Sequence, residues 1–126
     1  DRHVEWQPNL SFGDKVKFFR DLTILSVPAT YGEAFGLYVI ESIASGVPVV
    51  QPRHGAFPEL IELTQGGALC EPDDVESLAT SMETLLLDGQ RREQMITQGM
   101  AKVRTEFSAA RMAEQFEEAM LLAKKD

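Results

Sequence analysis

Residues 22–50 show the order of a strand, a loop, a helix and a second strand. An apolar run at residues 22–27 ends at Pro28, and a glycine-bearing loop follows it. A helical pattern then begins near Gly36 and stops at Gly46-Val47-Pro48, where a β-branched apolar run begins. Apolar runs without alternation are typical of strands that are covered on both faces. The order predicts a parallel α/β sheet with the loop at its carboxyl edge, where such sheets bind ligands.

The start of this helix is a predicted ligand site. The unpaired backbone N–H groups of Phe35, Gly36 and Leu37 favour an anion such as a phosphate, and Gly36 allows the main chain to approach it closely. Glu33 precedes the helix, and Glu41 lies about a turn and a half inside it, where its side chain tilts back over the same pocket. Carboxylates repel a phosphate but accept hydrogen bonds from hydroxyls, so the pattern indicates a ligand that is part phosphate and part polyol.

These residues carry a resemblance to an enzyme family. The matching positions are Pro28, Glu33-Ala34-Phe35-Gly36, Glu41, residues 44–50 and residues 53–59. The two glutamates, with residues 34–40 between them, resemble the E-x(7)-E signature of family-four retaining glycosyltransferases, which have the two-domain GT-B fold. Residues 53–59 are similar to that family's Gly-Gly-x-Pro-Glu segment, and the resemblance covers most of residues 3–88. Ala29 departs from the Ser that the family often has, and Ala56 from its second Gly.

The resemblance implies a function for each matching residue. Glu41 is expected to accept the ribose hydroxyls of a nucleotide-diphosphate sugar, and Glu33, at the catalytic position, to face the hydroxyls of the donor sugar. The backbone amides expected to hold the diphosphate and the sugar are those of Ala34, Phe35, Gly36 and Leu37. The implied reaction transfers the sugar with retained configuration and requires no metal or other cofactor.

The complete pattern predicts an open parallel Rossmann-like sheet flanked by helices, as in part of the C-terminal domain of a GT-B enzyme. Strands are predicted at residues 3–7, 23–27, 47–51 and 68–70. Helices are predicted from a cap at Ser11 or Asp14 to residue 21, from near 36 to 45, at 57–63, from Asp73 or Asp74 to 87, at 90–103, and from the cap Ser108 onwards. Residues 1–126 are predicted to form one domain, the donor-binding fragment of a two-domain glycosyltransferase.

The final helix has an apolar face, for which two interpretations stay open. Its members are Met112, Ala113, Phe116, Ala119 and Met120. The resemblance implies that the last helix crosses to an N-terminal domain, which would then cover part of this face. The alternative is that the face packs entirely on its own sheet.

Composition excludes several kinds of partner. A net charge of −8 without a cluster of Lys and Arg argues against nucleic acid. His3, His54 and the single Cys70 supply neither a disulfide nor a Cys/His metal set, and Cys70 is predicted to be a small core residue. The single cysteine indicates a reducing setting, so a cytoplasmic location is expected. No apolar stretch reaches the roughly 18 residues of a membrane span.

The resemblance also places parts of the enzyme outside this chain. These are the N-terminal acceptor domain, the first strands of the donor-binding domain, and a basic Arg/Lys pair that neutralises the departing diphosphate. We therefore expect the chain alone to have little or no transferase activity, and an unpaired sheet edge predicts self-association.

Alternative functions are an epimerase or a phosphorylase of the same fold, or a non-enzymatic flavodoxin-like or receiver-like interaction module. A receiver needs Asp at its strand ends, whereas these strands end at Gln7-Pro8, Val27-Pro28 and Gln51-Pro52.

Weaker site candidates surround the main ones. Gln7, Pro8 and Asn9 follow the first predicted strand, near the nucleobase in the resembled family. Arg53 is interpreted either as a phosphate ligand or as an ion-pair partner of Glu59. Tyr38 is interpreted as a ligand contact or as a packed side chain.

Overall fold

The computed structural model describes residues 3–123 and has an α/β architecture. Its helices are α1 (Phe12–Asp21), α2 (Leu37–Ala44), α3 (Phe57–Thr64), α4 (Val75–Leu87), α5 (Gly89–Glu106) and α6 (Ala109–Ala123). Its strands are β1 (Val49–Pro52) and β2 (Gly67–Cys70). Apart from the predicted strands at residues 3–7 and 23–27, the predicted order of elements is therefore present along the described chain.

The sheet is parallel, as predicted, but smaller than expected. β1 pairs with β2 in the register Val49 with Gly67 through Pro52 with Cys70, and α3 makes the crossover between them. On the other side of β1, Leu25 forms a single parallel bridge to Val49. The fold class is confirmed, with the predicted strand at residues 23–27 reduced to one bridge.

The predicted strand at residues 3–7 is wrong. These residues are irregular and exposed, with Val4 at 72% and Trp6 at 86% of full exposure. Alternating side chains fit a strand only when a neighbouring strand satisfies its backbone and a core covers one face. Among the described residues no strand pairs with this segment, so its alternating side chains do not produce a strand.

Gln51 explains why residues 23–27 do not form a longer ladder. Its fully buried side chain accepts a hydrogen bond from the N–H of Val27 at 2.8 Å and donates one to the C=O of Val27 at 3.1 Å. A side-chain amide thus replaces the backbone pairing at the end of this segment. It fixes the chain immediately before Pro28 and the candidate loop.

Hydrophobic clusters cover the two faces of the sheet. Leu25 and Val49 belong to a cluster with residues of α2 and α3, including the fully buried Val39 and Phe57. Ile24 and Val50 belong to a second cluster, which contains Leu85 of α4 and Met95 of α5. Neighbouring residues of each strand thus enter opposite clusters, which confirms the prediction of cover on both faces.

The structure selects one of each pair of candidate caps, Ser11 over Asp14 and Asp74 over Asp73, and confirms Ser108. Ser11 accepts from the N–H of Asp14, Asp74 from that of Ser77, and Ser108 from that of Arg111. Each bond satisfies a backbone donor that the first turn of a helix leaves unpaired.

The apolar face of α6 does not pack on this sheet. Met112 and Phe116 are each 68% exposed, and α6 has no buried residue in its described length. The interpretation in which this face packs entirely on its own sheet is therefore wrong. Separately, no helix within residues 3–123 combines the length and apolarity needed to cross a membrane.

Candidate functional site

Two loops at the carboxyl edge of the sheet lie against each other. Residues 28–36 follow the Leu25 segment, and residues 53–56 follow β1. The N–H of Ala56 donates to the C=O of Glu33 at 2.9 Å. Gly55 has φ +55°, and a Cβ there would lie 2.7 Å from the same Glu33 oxygen, so this close approach requires glycine. The second loop therefore supports the first at Glu33.

The Glu33 carboxylate occupies the start of α2. Its Oε1 accepts hydrogen bonds from the N–H of Gly36 at 3.0 Å and of Phe35 at 3.2 Å. Gly36 is the N-cap, in a left-handed conformation with φ 78°. Two amides that the sequence assigns to a phosphate thus bind an anion of their own loop. The helix start behaves as an anion site, as its geometry requires.

Tyr38 lies over the second oxygen of Glu33. Its Oη is 3.5 Å from Glu33 Oε2, and its ring packs against the edge of Phe57 at a centroid distance of 6.4 Å. Burial, together with the charge of Glu33, raises the pKa of Tyr38 to about 12. The phenol therefore keeps its proton and serves as a donor beside this carboxylate.

Glu41 is paired with a cation that the sequence analysis missed. Lys15 Nζ lies 2.8 Å from Glu41 Oε1, and the two side chains are 40% and 31% exposed. Lys15 is in the first turn of α1, in a segment outside the E-x(7)-E pattern. The pair is visible only in the folded structure, and no spacing in the sequence signals it.

Arg53 has an ion-pair partner other than the predicted Glu59. Its Nε lies 3.7 Å from Oε1 of Glu71, and both side chains are more than half exposed. The pair links the residues that follow β1 and β2. The weaker candidates Gln7, Pro8 and Asn9 are exposed on the irregular segment before α1.

An apolar groove of about 610 Å³ adjoins the loop. Ala34, Phe35 and Leu37 line one part of it, and most of the other lining residues belong to α3 and to residues 106–115, which join the end of α5 to the start of α6. Its acidic lining residues are Glu59 and Glu106, so the groove does not suit a phosphate. Phe35 and Leu37 are 52% and 60% exposed. Their backbone amides are the predicted phosphate ligands, whereas their apolar side chains line this groove.

The described residues contain no group of three or more His, Cys, Asp or Glu side chains arranged to hold a metal ion. Cys70 is buried in the cluster of Val50, and burial raises the pKa of its thiol. Its predicted role as a small core residue is confirmed.

Sequence comparison gives a family match over most of the chain. The family model described as "Glycosyl transferases group 1" matches residues 1–102. D-inositol 3-phosphate glycosyltransferase from Corynebacterium diphtheriae is 36% identical over 131 residues, covering 93% of this chain and 30% of that protein.

Structural comparison gives the same fold. Sucrose-phosphate synthase from Thermosynechococcus elongatus has a TM-score of 0.72 and 25% identity, covering 86% of this chain and 27% of that one. Anabaena Alr3699/HepE in complex with UDP-glucose has a TM-score of 0.74 and 24% identity, covering 82% of this chain and 29% of that one.

The chain spans less than a third of the length of each of these three proteins, with shares of 30%, 27% and 29%. The family model includes both glutamates and both loops of the candidate site. The resemblance drawn from the E-x(7)-E pattern is confirmed at the level of the family. The chain belongs to the group 1 glycosyl transferases.

Proposed function

We propose that this chain is the donor-binding part of a retaining glycosyltransferase, and that it binds a nucleotide-diphosphate sugar at residues 28–36 and the start of α2. The observation that carries the proposal is the anion site at this helix start. The amides of Phe35 and Gly36 converge on one carboxylate oxygen, and a second glutamate, Glu41, follows in the same helix. Backbone amides, a helix end and carboxylates together suit a ligand of phosphates and hydroxyls.

Binding of the donor exchanges the anion at the helix start. The diphosphate takes the amides of Phe35 and Gly36, with those of Ala34 and Leu37 beside them. Glu33 is released and turns to the hydroxyls of the donor sugar. Tyr38, which contacts Glu33 in the free protein, donates to the same carboxylate and limits where it moves.

Glu41 accepts the ribose hydroxyls of the nucleotide. An ionised carboxylate has two oxygens and about four lone-pair sites, enough for two hydroxyls and an ammonium. A nucleotide that lacks the ribose hydroxyls would leave these acceptors unpaired, and the free-energy cost of doing so makes it bind more weakly than a nucleotide that has them.

UDP is the first nucleotide to test, because HepE, which shares this fold, has been solved with UDP-glucose.

In this proposal the donor site requires no metal ion, and the protein acts in the cytoplasm. An N-terminal domain of the same protein binds the acceptor. The small share of its relatives' length that the chain spans supports this division. Membership of the family favours a transferase over an epimerase, a phosphorylase or an interaction module.

Calorimetric titration with UDP, GDP and ADP tests the proposal. We expect one of them to bind, and Glu41→Gln to weaken that binding by about 1–3 kcal/mol, the cost of hydroxyls that lose a charged acceptor. Glu62→Gln, an exposed glutamate on α3, is the matched control and should leave binding unchanged. Absence of binding for all three nucleotides, or equal affinities in both variants, contradicts the proposal.

The proposal also predicts little or no sugar transfer by this chain alone, since the acceptor site lies in the other domain. Incubation with UDP-glucose and a panel of sugar acceptors measures this. Transfer at enzyme-like rates would contradict the division of the site between two domains.

A further inference from the structure

The ion pair between Lys15 and Glu41 joins two elements of the candidate site. Lys15 lies in α1 and Glu41 in α2, and their 2.8 Å contact is a charge-assisted hydrogen bond that is partly shielded from water. We infer that Lys15 is a positioning residue for the nucleotide site, which holds the Glu41 carboxylate in the orientation that accepts ribose hydroxyls. This inference rests on the proposed function.

The pair reduces the freedom of Glu41 before a ligand arrives. A glutamate on the surface of a helix samples several rotamers, and binding through it must select one of them. Lys15 engages Oε1 and leaves the remaining lone pairs of the carboxylate to other donors. A side chain that is already ordered costs less affinity when it binds.

Lys15 also changes the charge of the site. The proposed diphosphate lies at the start of the helix that carries Glu41, in a chain of net charge −8. A bare carboxylate there would oppose the phosphates, whereas an ion-paired carboxylate is locally neutral. Lys15 therefore lets Glu41 recognise hydroxyls at a lower electrostatic cost to the diphosphate.

Lys17 gives an internal comparison on the same helix. It pairs with Asp14 of α1 at 3.7 Å, and these side chains are 78% and 57% exposed. Both lysines carry the same charge on the same helix, but the ion pair of Lys15 reaches α2 and that of Lys17 stays within α1. A general effect of positive charge should appear in both lysine variants, and a positioning effect only in the variant of Lys15.

The test compares a ribose nucleotide with one that lacks the hydroxyls. UDP, GDP and ADP are screened first, and the 2′,3′-dideoxy form of the nucleotide that binds is then titrated beside it. We expect Lys15→Ala to weaken the ribose form about two- to fivefold, the range for partly exposed ion pairs. The dideoxy form should be weakened by a clearly smaller factor, because it loses only the neutralisation of Glu41 near the diphosphate. Lys15→Arg should retain most of the affinity, and Lys17→Ala should change neither.

Each other outcome has a definite meaning. Equal weakening of both forms by Lys15→Ala shows a phosphate contact or a looser α1 and overturns the inference, as does no change in either form. Glu41→Gln, measured in parallel, separates the two proposals. If it weakens the ribose form while Lys15→Ala does not, the proposed function holds and the role of Lys15 fails. If no nucleotide binds to the wild type, both fail.

Discussion

Glu33 is the residue on which the candidate site depends most. In the free protein its carboxylate accepts hydrogen bonds from Phe35 and Gly36 immediately before α2, and in the proposed complex it binds the donor sugar. The sequence predicted a ligand phosphate as the anion at the helix start and Glu33 as the acceptor for sugar hydroxyls. In this proposal Glu33 takes the first role in the free protein and the second in the complex. Its contact with Tyr38 is the feature that can be measured without a ligand.

At the scale of single residues, we predict that Tyr38 titrates near pH 12 instead of near its ordinary value of 10.0. Burial, and then the charge of Glu33, disfavours the phenolate. Because the folded protein keeps this proton longer than the unfolded chain, the contribution to stability is complete below pH 10 and is lost as the pH rises toward 12.

Ultraviolet titration of Tyr31→Phe, which leaves Tyr38 as the one tyrosine of the chain, measures this pKa without the contribution of the Tyr31 charge, which ranks after burial and Glu33 among the causes of the shift. Glu33→Gln in the same background should lower the midpoint, because the neighbouring negative charge is removed. Circular dichroism at each pH shows that the protein is still folded. A midpoint near 10.0 in the folded protein would be inconsistent with the contact.

At the same scale, we predict that Gln51→Leu lowers the free energy of unfolding by about 1–3 kcal/mol, because the N–H of Val27 loses its buried acceptor. The C=O of Val27 loses one of two donors and keeps the N–H of Ala29 at 2.7 Å. Urea denaturation measures the change. Gln94→Leu, at an exposed position of α5, should stay within about 0.5 kcal/mol of the wild type. Similar values for the two variants would mean that Gln51 does not hold this segment.

At the scale of elements, close packing of α5 on α2 predicts opposite effects for two glycine substitutions. A Cβ at Gly99 would lie 2.7 Å from Ile43 Cγ2 and 2.9 Å from Gly66 Cα, whereas a Cβ at Gly13 would meet nothing within 4 Å. Both glycines are helical. We expect Gly99→Ala to destabilise the fold by about 1–3 kcal/mol through overpacking. Gly13→Ala should stabilise it by up to about 1 kcal/mol through helix propensity.

Thermal and urea unfolding of the two variants measure these changes. Stabilisation by Gly99→Ala would show that α5 lies farther from α2 than the structure indicates. The Gly13→Ala variant serves as the control for the general effect of alanine in a helix.

The sequence predicts those elements whose signals are local. Ser11 and Asp74 are cap residues next to apolar periodicity, and both begin helices as predicted. Residues 3–7 have the alternation of a strand but no pairing neighbour, and a pairing neighbour is not a local property. Lys15 was missed for the same reason, because its partner Glu41 belongs to another helix.

At the scale of the whole molecule, the outer edge of residues 23–27 predicts self-association. Leu25 directs its N–H and C=O to β1, through bonds to Pro48 at 3.0 Å and from Val50 at 2.9 Å. Alternation along an extended segment turns the backbone groups of Ile24 and Ser26 outward. Within residues 3–123 no strand pairs with that edge, which leaves it open to strand addition.

Sedimentation velocity over a range of concentrations tests this prediction. We expect the wild type and Ser26→Ala to associate as concentration rises. Ser26→Pro should remain monomeric, because proline removes an N–H that points outward and leaves the bonds between Leu25 and the β1 side in place. A wild type that is monomeric at every concentration would rule out association through this edge.

Amide mapping by NMR tests whether a nucleotide diphosphate binds at the start of α2. Nitrogen-15 spectra of the labelled protein are recorded as UDP, GDP or ADP is added. We expect the largest shifts at Ala34, Phe35, Gly36 and Leu37, because Phe35 and Gly36 exchange the Glu33 carboxylate for a phosphate. Largest shifts in the apolar groove, at residues 106–112, with the loop amides unchanged, would contradict binding at this helix start.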